Sequence, residues 1–298
     1  MKFLFAILFI FTCYFTHAQE LYVSTEPASN MAAGGLGVRI NSKLYRMNHN
    51  GAYTSYRIDP EIMYGITKKF MIHINAYGSN MFQKNFRFEG AGLYGKYRFF
   101  SQDDVHAHFR MSAFAKVTVI KNPEYLVTTA QHIFPDGLGG FYQHEEELHL
   151  RSNDLDLDGN NSGVSAGIVA TKLKNKLALS ASVAYAYRKN NIGHTIEIFQ
   201  PLHAINYSTS AGLLLFPKEY TSYKQTNLNL YLEILGQSFI DKNQYYIDAA
   251  PAIQFIFNSI MRLDIGYRTQ FAGNVTRLGN SNFILRLEYN WLNVFAKK

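Results

Sequence analysis

The sequence predicts an all-β fold, a single transmembrane antiparallel β-barrel of about 12 strands. The clearest observation is the alternation within residues 105–119. Its odd positions, including Phe109 and Val117, are all apolar, and its even positions, such as Arg110 and Lys116, are largely polar. A period of two is typical of a strand with one apolar face. The stretch exceeds the roughly 9–11 residues that a tilted strand needs to cross the hydrocarbon core of a membrane.

The same alternation recurs along the chain, which makes an even number of strands in one domain. The other predicted strands lie near residues 34–45, 56–64, 70–76, 90–99, 164–170, 177–188, 205–215, 227–234, 245–257, 261–271 and 283–295. Short and long connections alternate between these strands. The one exception is the connection at residues 47–52, which is shorter than the other connections on the long-loop side. This asymmetry is typical of barrels with short periplasmic turns and longer extracellular loops, whereas alternation alone would also fit a soluble β-sandwich.

The two ends of the chain favour export to an outer membrane. Residues 1–18 contain, in order, a positive charge, an apolar stretch and small residues just before Gln19, which is the pattern of a cleaved signal peptide. Residues 19–298 therefore form the predicted barrel domain. The alternative is a lipoprotein modified at Cys13, but the residues before that cysteine match a lipoprotein signal poorly. Alternate apolar positions from Leu285 to Phe295 resemble the terminal signal that the barrel-assembly machinery recognises.

Composition excludes several other classes. The only cysteine lies in the predicted signal peptide, so disulfides and thiol chemistry are excluded. The chain carries a formal net charge of +7, but its basic residues are spread singly along strands, which does not predict a nucleic-acid partner. No apolar run is long enough for a membrane-spanning helix. We therefore expect outer-membrane lipid to surround the barrel.

Four short motifs carry a resemblance to a known family. They are residues 24–31 (STEPASNM), 59–63 (DPEIM), 103–106 (DDVH) and 287–290 (LEYN). Together they resemble a family of uncharacterised outer-membrane β-barrels of Gram-negative bacteria, over most of the mature chain. The resemblance implies the fold and the location. It implies no activity and no catalytic residue.

With apolar side chains facing lipid, the opposite face of each strand should line the lumen. More cations than anions are predicted there, which suggests a channel or transporter for small polar solutes that favours anions. The competing interpretation is that these charges pair across strands and fill a narrow lumen. The predicted lining residues include Arg57, Asp59, Glu61, Lys96, Arg98, His106, His108, Arg110, Lys116, Arg262, Asp264, Arg268, Arg286 and Glu288.

Two patterns suggest metal sites. Asp154, Asp156 and Asp158 open a D-x-D-x-D-G sequence, in which alternate carboxylates could hold calcium, although Ser165 replaces the glutamate of an EF-hand. His106 and His108 share one strand face, with His73 as a further candidate ligand. For both patterns, solvated or lumen-lining polar residues are the favoured explanation. No cofactor is predicted beyond this calcium hypothesis.

Two other functions remain open. The barrel could display the long connection at residues 121–162 to a partner; deleting it would then abolish binding and leave permeability unchanged. A lipid hydrolase would need a serine beside a histidine with a third orienting group, and no such constellation or G-x-S-x-G motif occurs. We therefore expect no enzymatic activity.

Overall fold

The structure is a computed structural model that describes residues 24–46, 54–82, 85–104, 107–123, 125–135, 141–198, 200–219, 222, 224–292 and 294. Within these residues the chain forms fourteen β-strands, of which twelve close into an antiparallel barrel. The barrel strands are β1 (Leu36–Arg46), β2 (Thr54–Gly65), β3 (Phe70–Ser79), β4 (Arg87–Asp103), β5 (Ala107–Ile120), β8 (Ser162–Lys174), β9 (Leu177–Lys189), β10 (His203–Phe216), β11 (Asn227–Phe239), β12 (Tyr245–Phe257), β13 (Met261–Gly273) and β14 (Ser281–Trp291).

The barrel strands pair in the order in which they follow one another in the chain, with two exceptions. The strand β5 pairs directly with β8, and β1 pairs with β14 through partners such as Val38 and Tyr289. This topology confirms the predicted twelve-stranded antiparallel barrel. The described residues contain no helix long and apolar enough to cross a membrane.

The connection at residues 121–162 has structure that the sequence interpretation did not include. Its middle forms β6 (Tyr125–Pro135) and β7 (Phe141–Arg151), which pair only with each other as a two-stranded sheet. The β-branched run at residues 127–129 favours strand structure. The remainder of the connection, residues 152–161, folds back into the mouth of the barrel.

The barrel has two unlike ends. One end, called the terminal end, contains the start of β1, the end of β14 and the connections β2–β3, β4–β5, β8–β9, β10–β11 and β12–β13. The opposite end, called the loop end, contains the other connections, including residues 121–161. Short turns at the terminal end use left-handed residues such as Asn175 and Asn258, as tight hairpins require.

The two faces of the sheet have opposite polarity. Outward-facing side chains are apolar and exposed, with Ile74 at 56% and Phe283 at 58% of their accessible surface. The largest fully buried side chains begin with three arginines, Arg57, Arg188 and Arg262. In β5, exposed Val117 and Val119 alternate with buried Ser112 and Thr118. The inside of the barrel is therefore polar, as the alternation predicted, and the outside matches a lipid-facing surface.

Candidate functional site: a chamber in the barrel lumen

Residues 24–35, called the plug, lie inside the barrel at the terminal end. Lys96 of β4 donates hydrogen bonds to the carbonyl oxygens of Pro27 (2.6 Å) and Ser29 (2.8 Å). On β5, the Ser112 hydroxyl donates to the Ala28 carbonyl at 2.6 Å. These bonds satisfy plug backbone groups that would otherwise be buried without partners.

The plug also reaches the opposite wall of the barrel. The backbone N–H groups of Ser24 and Thr25 donate to the carboxylate of Glu233 on β11, at 2.7 and 2.9 Å. The Ala28 N–H donates to the Thr171 hydroxyl of β8 at 2.9 Å. Contacts with β4, β5, β8 and β11 mean that the plug crosses the lumen. The sequence alone predicted no role for this segment in closing the barrel.

An ion-pair cluster ties the plug to the first and last strands. Arg39 of β1 pairs with Glu26 of the plug, with Glu288 of β14 at 2.7 Å and with Glu61 of β2 at 3.5 Å. Glu61 in turn contacts the imidazole of His73 on β3. All these wall side chains are almost completely buried.

Glu26, Glu61 and His73 form the only group in the described part of the chain with three candidate metal-ligand atoms within 4.8 Å of one another. However, the Arg39 guanidinium already contacts both carboxylates and supplies the positive charge they need. A buried, bridging guanidinium of this kind holds two carboxylates with fixed geometry. The cluster is therefore an ion-paired latch for the plug.

Residues 152–161, called the lid, lie across the lumen at the loop end. The fully buried Arg57 of β2 donates to the Asp158 carbonyl (3.1 Å) and the Asn160 side chain (2.7 Å), and it pairs with Asp156 at 3.5 Å. The same guanidinium pairs with Glu89 of β4 at 3.0 Å. Arg57 thus joins the lid to two strands of the wall.

Glu89 was missed as a lumen residue because the strand alternation changes at that point. Tyr77 of β3 pairs with Gly90, whereas Gly78 pairs with Phe88, so Glu89 is an extra residue in β4. Such a β-bulge shifts the inside–outside alternation by one residue. Gly90 has a φ of 155°, a conformation that glycine adopts most easily. In the sequence, a glycine next to a charged residue within a predicted strand was the signal that could have indicated this bulge.

The opposite side of the lid is held by β11 and by the β13–β14 connection. The Leu155 backbone exchanges two hydrogen bonds of 2.9 Å with the Gln237 side chain. Arg277 pairs with Asp154 at 3.2 Å. Leu155 and Leu157 are buried, so the lid also covers apolar surface.

The three aspartates of the calcium hypothesis lie in this lid, but each one has a different cationic partner. Asp154 pairs with Arg277, Asp156 with Arg57, and Asp158 with Lys116. Their carboxylates are directed to separate parts of the wall instead of converging on one point. The observed role of the D-x-D-x-D sequence is to attach the lid, and calcium binding stays a prediction.

The lid contact at Lys116 should depend on pH. The nearby ammonium group of Lys116 holds the pKa of the Asp158 carboxyl well below its usual range. A lowered pKa means that this ion pair stabilises the closed lid fully above about pH 4, and that the stabilisation is lost as the pH falls through the lowered value. In a variant that lacks residues 24–33, we expect ion conductance through the barrel in planar bilayers to rise on acidification below about pH 4, and Asp158→Asn to raise it already at neutral pH. If Asp158→Asn leaves the conductance of that variant unchanged at neutral pH, this expectation is wrong.

Between plug and lid lies a chamber of about 350 Å³. Six cationic and six acidic side chains line it, so its charges balance. The cations are Arg39, Lys43, Lys116, Arg268, Arg277 and Arg286, and the acids are Glu26, Asp59, Glu61, Asp154, Asp156 and Asp158. The excess of lumen cations that suggested anion preference is therefore offset within the chamber, partly by acids of the plug and lid.

The remaining predicted lining residues divide between the wall and the terminal end. In the wall, Arg262 pairs with Asp264 (2.9 Å) and Glu288 (3.4 Å), while Arg268 pairs with Asp248 at 2.6 Å. At the terminal end lie Arg98, bonded to the Lys68 carbonyl, Arg110, paired with Asp103, and His108, which is opposite Asp103 in the sheet. His106 lies outside the described residues.

Known proteins share this architecture without sharing the sequence. No protein-family model matches the chain, and no curated protein sequence matches it. Among solved structures, an outer-membrane channel from Pseudomonas putida F1 matches with a TM-score of 0.56 and 10% identity, covering 91% of this chain and 100% of that chain. The monoaromatic hydrocarbon channel CymD matches with a TM-score of 0.45 and 9% identity, covering 87% and 88%. OmpF from Salmonella typhi, solved with daunomycin, matches with a TM-score of 0.33 and 11% identity, covering 86% and 97%.

The similarity to the Pseudomonas channel shows the fold of an outer-membrane β-barrel. The match to the Pseudomonas channel spans nearly the whole of both chains, which is why it supports the architecture. At such low identity it carries no information on solutes. The resemblance of residues 24–31 to a particular barrel family stays a prediction, as does the signal peptide, which lies outside the described residues.

Proposed function

We propose that this protein is an outer-membrane channel for small polar solutes, and that the structure corresponds to its closed state. The single observation that carries the proposal is the polar chamber, which lies inside the barrel between the plug and the lid, neither of which belongs to the barrel wall. Each segment is attached by ion pairs and hydrogen bonds instead of a continuous β-sheet. Outer-membrane lipid would surround the exposed apolar belt, after insertion by the barrel-assembly machinery.

We propose only weak charge selectivity for this channel. Anion preference was predicted from an excess of cations in the wall, but the chamber has equal numbers of cationic and acidic side chains. Selectivity in pores follows the net charge of the lining. In planar bilayers with a salt gradient, we expect a reversal potential close to zero for openings of the intact protein in which the acids of the plug and lid stay beside the pathway. A strongly anion-selective potential would instead support the original prediction.

Surface display is a second candidate, favoured by the β6–β7 hairpin, which makes no strand pairing with the barrel. Such a hairpin at the loop end could contact a partner without any change in the lumen. The absence of enzymatic activity also stays a prediction. Neither alternative explains the polar chamber, and we therefore retain the channel as the proposed function.

A further inference from the structure

The three acids of the lid are attached to the wall by unlike partners. The arginines that pair with Asp154 and Asp156 are almost completely buried. Asp158 pairs instead with the ammonium group of Lys116 on β5, and 56% of the Asp158 side chain is exposed. Exposed ion pairs contribute little to stability, so this contact is the one that a solute can most readily replace.

Two further wall cations act on the same carboxylate. Lys116 contacts it directly, and its ammonium group is the main cause of the lowered pKa of Asp158. The charges of Lys43 on β1 and Arg268 on β13 shift that pKa in the same direction. Lys116, Lys43 and Arg268 all line the chamber, with side chains 15%, 20% and 24% exposed. We call these three residues the cation triad, and a solute in the chamber can reach all of them.

Only Lys116 depends on the lid for its counter-charge. Lys43 and Arg268 also pair with acids of the wall, at 3.2 and 2.6 Å, and those acids stay in place if the lid moves. Within the part of the chain that the structure describes, Lys116 has no carboxylate partner other than Asp158. A lid that leaves the wall therefore exposes one unpaired positive charge between two paired ones.

The charge balance of the chamber defines the class of ion that can replace Asp158. Six cationic and six acidic side chains line the chamber, so loss of the Asp158 carboxylate leaves one cation in excess. An unpaired charge in such a site is costly, which favours a ligand that supplies one negative charge. A carboxylate that accepts a hydrogen bond from Lys116 reproduces the contact that Asp158 makes.

An apolar surface lies beside the triad. Phe114 precedes Lys116 by two residues on the same face of β5, and its ring stacks with that of Tyr94 at 5.8 Å between centroids. Both rings line the chamber, and neither is fully buried. A chamber of about 350 Å³ lies at the lower end of the range for small-molecule pockets. The ligand should therefore combine one carboxylate with a short apolar chain.

We propose that the cation triad is a binding site for a small aliphatic monocarboxylate, and that Asp158 is the internal ligand that occupies it in this structure. The carboxylate of the solute takes the place of Asp158 on Lys116, and the lid is loosened as a result. This inference rests on the proposed channel function and adds the class of solute and a means of opening. It requires no metal and leaves the ion-paired latch unchanged.

The test measures binding of butyrate to the folded full-length mature protein by equilibrium dialysis at neutral pH. Butyramide, which has the same chain without the charge, is the comparison probe, and we expect butyrate to bind more tightly. Asp158→Asn removes the internal ligand and should strengthen butyrate binding about tenfold, because the solute no longer competes with a carboxylate of the lid. The same substitution should leave butyramide binding unchanged.

A second pair of variants tests the role of the cation. In the Asp158→Asn background, Lys116→Met removes the charge that Asp158 leaves unpaired and should cancel the gain in butyrate binding. Lys172→Met in the same background is the matched control, because Lys172 is an exposed lysine of β8 that does not line the chamber. This control should bind butyrate as tightly as Asp158→Asn alone.

Four results would overturn the inference: no butyrate binding, equal binding of butyramide, no gain from Asp158→Asn, or equal effects of Lys116→Met and Lys172→Met. Vesicle swelling with a variant that lacks residues 24–33 and carries Asp158→Asn separates this inference from the channel itself. Swelling in small solutes, without butyrate binding in dialysis, leaves the channel intact and removes the carboxylate site. Vesicles impermeable to every solute contradict the channel, whatever the dialysis shows.

Discussion

Deletion of residues 24–33 together with Asp158→Asn, which loosens the lid, is expected to raise single-channel conductance at least about tenfold over Asp158→Asn alone, because the segment that crosses the lumen is removed while all strands remain. Gly34 and Gly35 are kept because they hydrogen-bond to Gly65 at the start of the barrel wall. Planar-bilayer recordings at neutral pH provide the measurement. Unchanged conductance would show that the plug does not close the pathway.

A point variant provides a finer version of the same experiment. Lys96→Met removes the two hydrogen bonds from the ammonium group to the plug carbonyls and preserves most of the side-chain volume. In the Asp158→Asn background, in which the lid is loosened, we expect brief openings of this variant, since other plug contacts persist. Lys172→Met is the matched control, because Lys172 is exposed on β8. Equal behaviour of the two variants would assign no role to Lys96 in holding the plug.

Arg57→Met is expected to cause a large loss of stability. Arg57 and Glu89 are both fully buried and paired at 3.0 Å, so the variant leaves the Glu89 carboxylate without its partner. Removing one member of a buried ion pair typically costs about 3–5 kcal/mol. We also expect a more open lid, because Arg57 bonds to Asp158 and Asn160. The midpoint of urea unfolding measures the first effect, and conductance of the variant that also lacks residues 24–33 measures the second.

The double variant Arg57→Met with Glu89→Leu tests the reason for this loss. It removes the stranded charge, and should recover most of the stability while the lid remains loosened. Arg46→Met serves as a control, since Arg46 is an exposed arginine at the end of β1. If the double variant is as unstable as Arg57→Met, the unpaired carboxylate is not the cause.

The strands and the polarity of their faces could be predicted from the sequence because they depend on local alternation. Arg57, Glu61 and Glu288, which the same parity assigns to the inside, are buried in the structure. It failed at Glu89, because a bulge at one glycine reverses the relation between sequence position and side-chain direction.

The plug and the lid could not be predicted in this way. Their contacts join residues far apart in the chain, such as Thr25 with Glu233 and Asp154 with Arg277. Neither segment has a periodic pattern, since each is held by backbone groups and single charges. The balance of charge in the chamber depends on those segments, so the predicted anion preference used an incomplete set of charges.

The position of Arg39 also has a consequence for the order of assembly. β1 and β14 are the first and last strands, so the contact of Arg39 with Glu288 forms only after the entire barrel sequence has been made. The same guanidinium holds Glu26 of the plug. The β1–β14 seam and the docked plug thus share the side chain of Arg39. This arrangement favours an order of assembly in which the plug is enclosed while the barrel closes. It disfavours an order in which the plug is threaded into a finished barrel.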